Sequence, residues 1–279
     1  GDSFGLENVL WFANNKADAH EEPTIKRSRS HDYVSKEVIN VRENVGLIEV
    51  ANFSKHEFKG PDARKFLDHI MAGRLPKPGR ISLSPMLSYR GKLCGDLTVA
   101  CLEQNEFMVF GSGAAQEMHR RWFESHLDKF NLSYSNRSDE YHGLSIAGPN
   151  SRKVLEKIVR DDVSNEKFKF RDSRRMFVGS VPAIINRISF TGELGYEIYV
   201  APHYQLKLFE EIMEAGKEFD IKPFGGRALM SMRLEKNWGA WTLDYRPDFT
   251  AKDTGLDVFI KWDKDFIGKE FAKKDESSN

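Results

Sequence analysis

The sequence predicts an α+β fold of two pseudo-repeated β-α-β-β-α units with mostly antiparallel sheets. Two internal echoes and the spacing of apolar residues carry the prediction. Lys59-Gly60-Pro61-Asp62-Ala63-Arg64-Lys65-Phe66-Leu67-Asp68-His69-Ile70 matches Ala147-Gly148-Pro149-Asn150-Ser151-Arg152-Lys153-Val154-Leu155-Glu156-Lys157-Ile158 at six of twelve positions. Residues 88–99, Ser-Tyr-Arg-Gly-Lys-Leu-Cys-Gly-Asp-Leu-Thr-Val, match residues 189–200, Ser-Phe-Thr-Gly-Glu-Leu-Gly-Tyr-Glu-Ile-Tyr-Val, at four. Tyr89/Phe190, Leu97/Ile198 and Asp96/Glu197 are close substitutes within that second echo. The second copy holds 13 residues more between its motifs. Two echoes in the same order point to duplication.

The elements follow in order. Residues 1–32 read as a leader and linker, in which Phe4, Val9, Leu10, Trp11 and Phe12 could pack onto another surface and 14–32 are polar. Val34, Val38 and Val41 at helical spacing predict a helix over 33–44. The first repeat covers about 46–135. Two short strands lie in 46–57, and Gly60-Pro61-Asp62 opens a helix through Ile70 with Asp62 as its cap. Strands are expected at 86–89, 96–102 and 106–110, then a helix at 114–127. The second repeat covers about 136–220, with strands at 144–146, 181–189 and 196–200 and helices at 151–159 and 204–216. Residues 221–275 add a helix at 225–235 and a loop holding Trp238 and Trp241.

Composition bounds the function. The 279 residues carry 42 Lys+Arg against 42 Asp+Glu, a formal net charge of zero. That balance gives no support for nucleic acid or an acidic membrane as a partner. No apolar run approaches the ~20 residues of a membrane span. Cys94 and Cys101 are an odd step apart, so on one strand they face opposite sides and cannot pair. A reducing, cytoplasmic setting follows. The chain begins Gly1-Asp2-Ser3 and ends in a polar tail, so a piece of a longer polypeptide is expected.

Most chemical motifs are missing. The eight histidines form no metal-binding grouping and no G-x-S-x-G is present. Gly111-Ser112-Gly113 invites a dinucleotide reading, but Gln116 stands at the third glycine position. Asp96 and Glu197 remain. They are either surface acids beside hairpins or a carboxylate pair at a site shared by the repeats. A carboxylate buried there needs donors or a cation. Such a site suits a ligand with an N–H edge and a carbon that becomes cationic. Trp238, Trp241, Phe53, Phe190 and Phe259 could wall an aromatic ligand, or simply fill a core.

These residues resemble the aminomethyltransferase family, the folate-binding T-protein of glycine cleavage and its relatives. Phe190-Thr191-Gly192-Glu193-Leu194-Gly195-Tyr196-Glu197 is similar to the family's aromatic-x-G-E-x-G-x-E motif. Tyr89 to Leu97 is similar to its glycine-turn-acid motif. Ser231-Met232-Arg233-Leu234-Glu235-Lys236 and Asp265-Phe266-Ile267-Gly268-Lys269-Glu270 resemble two further stretches, so the match runs from about 33 to 272. The junction Phe4–Ala13 and Met230–Lys236 are most similar to the folate half of dimethylglycine and sarcosine dehydrogenases.

The resemblance implies a central tetrahydrofolate site and a C-terminal β-barrel domain that is missing here. It implies Glu197 on the paired N–H donors of the pterin and Asp96 as the catalytic acid at the one-carbon unit. Phe53, Leu83, Tyr89, Phe190, Trp241 and Phe259 would complete the folate pocket. A small amine or imine would be the substrate, a flavin dehydrogenase domain a partner, and one-carbon (aminomethyl or methylene) transfer the activity. A folate-dependent demethylase and a non-enzymatic folate-binding scaffold are the alternatives. Phe190 stands where a Tyr often sits, Leu229 where the T-protein has Arg, and Gly95 replaces the first acid of an Asp-Asp pair. The last two differences argue against a true glycine-cleavage T-protein.

Overall fold

The computed structural model describes residues 1–3, 6–21 and 24–276, so Phe4 lies outside the described residues. Thirteen strands and seven α-helices are formed among the described residues. In chain order they are β1 (Asp2–Ser3), β2 (Leu6–Glu7), α1 (His31–Glu43), β3 (Gly46–Glu49), β4 (Ser54–Lys59), α2 (Ala63–Ile70), β5 (Arg80–Leu87), β6 (Leu93–Glu103), β7 (Glu106–Gly111), α3 (Gln116–Glu124), β8 (Ser133–Asn136), β9 (His142–Ala147), α4 (Ser151–Ile158), β10 (Ser173–Val178), β11 (Val181–Asn186), β12 (Gly195–Val200), α5 (Gln205–Gly216), β13 (Lys222–Pro223), α6 (Gly226–Glu235) and α7 (Lys269–Glu276). No helix among the described residues is long and apolar enough to cross a membrane.

Two compact units result. One holds residues 1–51, 142–170 and 175–238; the other holds 52–141, 171–174 and 239–279. The first unit has a six-stranded sheet in the order β10-β11-β12-β9-β3-β13, antiparallel except where β13 joins β3. Val154, Leu155 and Ile158 of α4 and Leu208 and Ile212 of α5 pack on one face, against Ile146, Tyr196, Ile198 and Val200. On the other face α1 and α6 meet Ile48 and Ala147. The second unit has an antiparallel five-stranded sheet in the order β5-β6-β7-β4-β8. Phe66, Leu67 and Ile70 of α2 and Phe123 of α3 pack on Phe58, Leu97, Val99, Cys101, Phe107 and Val109.

The predicted duplication is visible as topology. Strand order β8-β4-β7-β6-β5 corresponds to β3-β9-β12-β11-β10, and each repeat carries a third strand after its first helix. The strand that precedes each repeat joins the other repeat's sheet: β3 pairs with β9, and β8 with β4. The first echo explains how. Gly60 and Gly148 share an unusual backbone, with φ of 134° and 131°. A Cβ on Gly60 would lie 2.8 Å from Leu132 Cα, and one on Gly148 would lie 2.5 Å from the Val41 carbonyl oxygen. Two residues on, the Asp62 N–H donates to the Asn131 carbonyl at 3.2 Å and the Asn150 N–H to the Asn44 carbonyl at 3.0 Å. Each acceptor stands two residues before an exchanged strand.

The second echo is out of step by one strand. Both its glycines take a left-handed backbone, with φ of 73° at Gly91 and 87° at Gly192. Yet the first turn joins β5 to β6, and the second precedes β12, which corresponds to β7. The extra residues of the second copy hold β10. Asp96 and Glu197 are therefore not equivalent positions of the duplication.

Other expectations are corrected in detail. Asp62 makes no side-chain cap to α2; its carboxylate accepts the Asn131 N–H at 2.8 Å instead. Strand β5 begins at Arg80 and runs through Pro85, which an edge strand tolerates because its outer N–H needs no partner. Gly113 serves packing, since a Cβ there would stand 2.1 Å from the Asn52 carbonyl oxygen. Of the leading residues, Val9 and Leu10 offer their carbonyls to the N–H groups of Gly226 and Arg227 at the start of α6, and Trp11 lies under the Arg227 guanidinium. Cys94 and Cys101 are free thiols.

Two histidines are buried between β4 and α3, ring centroids 6.2 Å apart. His56 Nδ1 lies 2.9 Å from the Tyr134 hydroxyl, and His119 Nε2 donates to the Cys94 carbonyl at 2.9 Å. Burial pushes His56 down to about 3, helped by His119, and burial pushes His119 down to about 4 against the pull of the Cys94 carbonyl. An unfolded histidine binds its proton near pH 6.5, so between pH 6.5 and these values the unfolded chain holds more protons. Their stabilising effect is complete above pH 6.5 and is lost as pH falls. We expect the fall in unfolding free energy between pH 6.5 and 4.5 to be shallower in His119→Asn by about 1.4 kcal/mol per pH unit. Denaturant titrations at several pH values check this; equal slopes in both proteins would contradict it.

Candidate functional site

Each unit presents one acid on the face of its sheet away from the α2/α3 or α4/α5 layer, because side chains alternate along a strand. In the second unit, Leu97, Val99 and Cys101 of β6 enter the core, which sends Asp96 and Thr98 to the opposite face. Register adds neighbours to that face. Pro85 stands opposite Asp96, Leu83 opposite Thr98, Thr98 opposite Phe110, and Phe110 opposite Lys55. Lys55 is wholly buried, its ammonium donating to the Phe53 carbonyl at 2.7 Å. Asp96 is half-buried, and no described side chain donates to its carboxylate. Desolvation pushes it up to about 7, against a pull from its own backbone N–H.

In the first unit, Tyr196, Ile198 and Val200 of β12 enter the core, so Glu197 and Tyr199 share the other face. Ser145 of β9 and Asn186 of β11 stand opposite Glu197. Glu197 is 7% exposed, and the Tyr199 hydroxyl donates to its Oε2 at 2.9 Å. Burial pushes Glu197 up to about 7, opposed by the Tyr199 hydroxyl and by the charge of Lys236. Burial and the adjacent carboxylate hold the Tyr199 phenol well above its ordinary range. Lys236, the residue after α6, donates to the Ser189 carbonyl at 2.8 Å. The residue is exposed, yet its ammonium is desolvated enough to fall below the usual lysine range, with Glu197 pulling it back. The loop before β12 is also tied to α1, where Arg42 pairs with Glu193 at 2.8 Å.

The remaining candidates divide. Phe190 is half-buried in the loop before β12. Phe53, Leu83, Trp241 and Phe259 are half-buried in the second unit. Leu83 shares the face of Asp96, whereas the Trp241 ring lies 6.1 Å from that of His119. Tyr89 stands apart from Asp96. It is 61% exposed, its hydroxyl is 2.7 Å from His126 Nε2, and its ring lies against Trp122 of α3. Sequence reasoning missed Tyr199 and Lys236 as partners of Glu197. The Glu-x-Tyr spacing on a strand was the available signal for the first.

Both acids are thus desolvated, ionise near neutrality and sit on platforms with few donors of their own. Such carboxylates can accept N–H donors or exchange a proton at physiological pH. The GCVT N-terminal domain matches residues 1–264, and the chain belongs to that family. Dimethylglycine dehydrogenase, mitochondrial, of Mus musculus is 36% identical over 275 residues, covering 97% of this chain and 32% of the relative. An aminomethyltransferase of Desulfitobacterium hafniense is 30% identical over 233 residues, covering 82% of this chain and 63% of the relative. The chain therefore spans about a third of the dehydrogenase and just under two thirds of the transferase. The crystal structure of glycine cleavage system aminomethyltransferase T from Bartonella henselae has the same fold, with a TM-score of 0.79 at 22% identity over 88% of this chain and 67% of that one.

Raised carboxyl pKa values work against stability at high pH. The folded acids keep protons that the unfolded chain has released, so stability is lost as pH rises from about 4 through about 7. Asp96→Asn and Glu197→Gln are expected to be more stable than the parent at pH 8.5 and little different at pH 4.5. At about 1.4 kcal/mol for each pH unit a pKa moves, the gain is at most about 4 kcal/mol, less for half-exposed Asp96. Thermal unfolding at both pH values measures it; destabilisation of both variants at pH 8.5 would refute the assignment of cost.

Proposed function

We propose that the chain is a tetrahydrofolate-dependent one-carbon transfer module, the folate-binding part of a dimethylglycine dehydrogenase-like protein. The observation that carries the reading is the buried Glu197 carboxylate, with the Tyr199 hydroxyl as its hydrogen-bond donor. A flat heterocycle with adjacent N–H groups supplies the donors such a carboxylate lacks, in a bidentate charge-assisted contact. Folate, when bound, brings the nucleophilic nitrogens that take up the one-carbon unit. Asp96 serves the chemical step. Its carboxylate stabilises positive charge on the carbon being transferred and takes or returns the amine proton, with a pKa near 7 suited to both directions. Phe53, Leu83, Phe190, Trp241 and Phe259 belong to the binding surface in this reading. Tyr89 is a folate-binding residue of this reading too, and its hydroxyl lies 2.7 Å from His126 Nε2.

The substrate is a small secondary or tertiary amine, or the imine formed from it, and a flavin dehydrogenase domain is the partner that supplies the imine. Family membership and the dehydrogenase relatives support this part. A reducing compartment belongs to the reading as well, on the strength of the two free thiols.

Calorimetric titration with tetrahydrofolate tests the proposal, on this chain and on the complete gene product that contains it. Glu197→Gln should weaken binding by ~10–100-fold, the worth of hydrogen bonds to a charged group. Asp96→Asn should leave binding within about threefold and lower one-carbon transfer by ~100-fold or more. No binding at millimolar tetrahydrofolate by either form of the protein would sink the reading.

A further inference from the structure

We propose that Tyr199 is the positioning residue of the Glu197 site: its hydroxyl holds a hydrogen bond on the carboxylate and favours the charged form for a ligand that brings N–H donors. The identity of that ligand rests on the folate reading; the geometry does not. Tyr199 and Glu197 are two apart on β12 and leave the same face, and Oη donates to Oε2 at 2.9 Å. The phenol is buried, and Glu197 accepts the bond it offers.

Register explains how a tyrosine lies so close to the sheet. Tyr199 stands directly opposite Gly143 of β9. A Cβ at Gly143 would fall 2.7 Å from Tyr199 Cε1 and 2.9 Å from Cδ1, with Val50 Cγ2 3.0 Å away on another side. Any larger residue at 143 would displace the ring. The missing side chain lets the ring lie over the neighbouring strand, and the ring then carries its hydroxyl to the carboxylate. The pair is one device, a glycine that makes room and a phenol that uses it.

The groups facing Glu197 are few. Tyr199 comes from β12 itself, and Lys236 from the end of α6. Ser145 of β9 and Asn186 of β11, the residues opposite it in register, are uncharged. Lys236 favours the anion through its charge, while its ammonium is hydrogen-bonded to the Ser189 carbonyl. The hydroxyl is therefore the donor that holds the carboxylate in place, and its loss leaves Lys236 alone to offset burial.

The test follows the Glu197 carboxyl by carbon-13 NMR titration in unliganded protein, alongside the pH profile of tetrahydrofolate binding. In Tyr199→Phe the Glu197 titration should move upward by about one pH unit. The pH midpoint of binding should move up with it, and affinity well above that midpoint should return to within about threefold of the parent. Gly143→Ala keeps the hydroxyl but displaces the ring, and should shift Glu197 in the same direction. This second variant also carries the test where Tyr199→Phe does not fold. An unmoved Glu197 titration, or a loss of binding equal at all pH values, overturns the proposal. A shifted titration in a protein that binds no folate would sink the folate reading and leave the positioning role standing.

Discussion

Both units depend on a backbone contact too close for a side chain. At Gly60 and Gly148 the chain turns through a conformation that other residues avoid, and it does so against another stretch of backbone. The contact fixes where β8 and β3 begin, and those strands complete the sheets on which everything else is laid. Helices α2 and α4 start within three residues of these glycines, so the same contact sets the layer that fills each core. A methyl group at either glycine would move the exchanged strand and the helix together.

Burial of ionisable groups is the second organising constraint, and it works with opposite sign in different places. His56 and His119 are kept neutral, among aromatic rings and below small residues. Asp96 and Glu197 are kept close to the point where they gain or lose a proton. Desolvation disfavours charge in both cases. The histidines lose little by this, since neutral imidazole is their form at neutral pH. The acids lose stability, and perturbed carboxyls of this kind cluster at functional sites.

How much was legible in the sequence follows from the same physics. The central strands and helices α1 to α6 were readable because one face is apolar and the period is clear, whereas α7 went unseen in a stretch read as a polar tail. The strands that went unseen, β1, β2, β8, β10 and β13, are edges, as is β5, of which only the end was expected. Edge strands such as Ser133–Asn136 are half solvated, so alternation fades. The Gly-Pro echo reported a true correspondence because its glycine does the same steric task twice. The second echo reported a turn. Ser-x-x-Gly is local chemistry that fits any hairpin, so it recurred one strand later and made Asp96 and Glu197 look equivalent. The face each acid occupies was readable from period two. The donor on Glu197 was not, because the role of Tyr199 depends on Gly143, and that glycine gains meaning only through the register of β9 with β12.

The exchange of strands also has a consequence in time. Synthesis runs from one end, and β3 leaves the ribosome about a hundred residues before β9, the strand it pairs with. During that interval its ladder hydrogen bonds have no native acceptors, although β4 to β8 have all emerged and can assemble their own sheet. The nascent chain can therefore lay down the five-stranded sheet of its second unit first, although residues 239–276 join that unit last, and β3 must wait, unpaired and in need of shielding, for a partner not yet made.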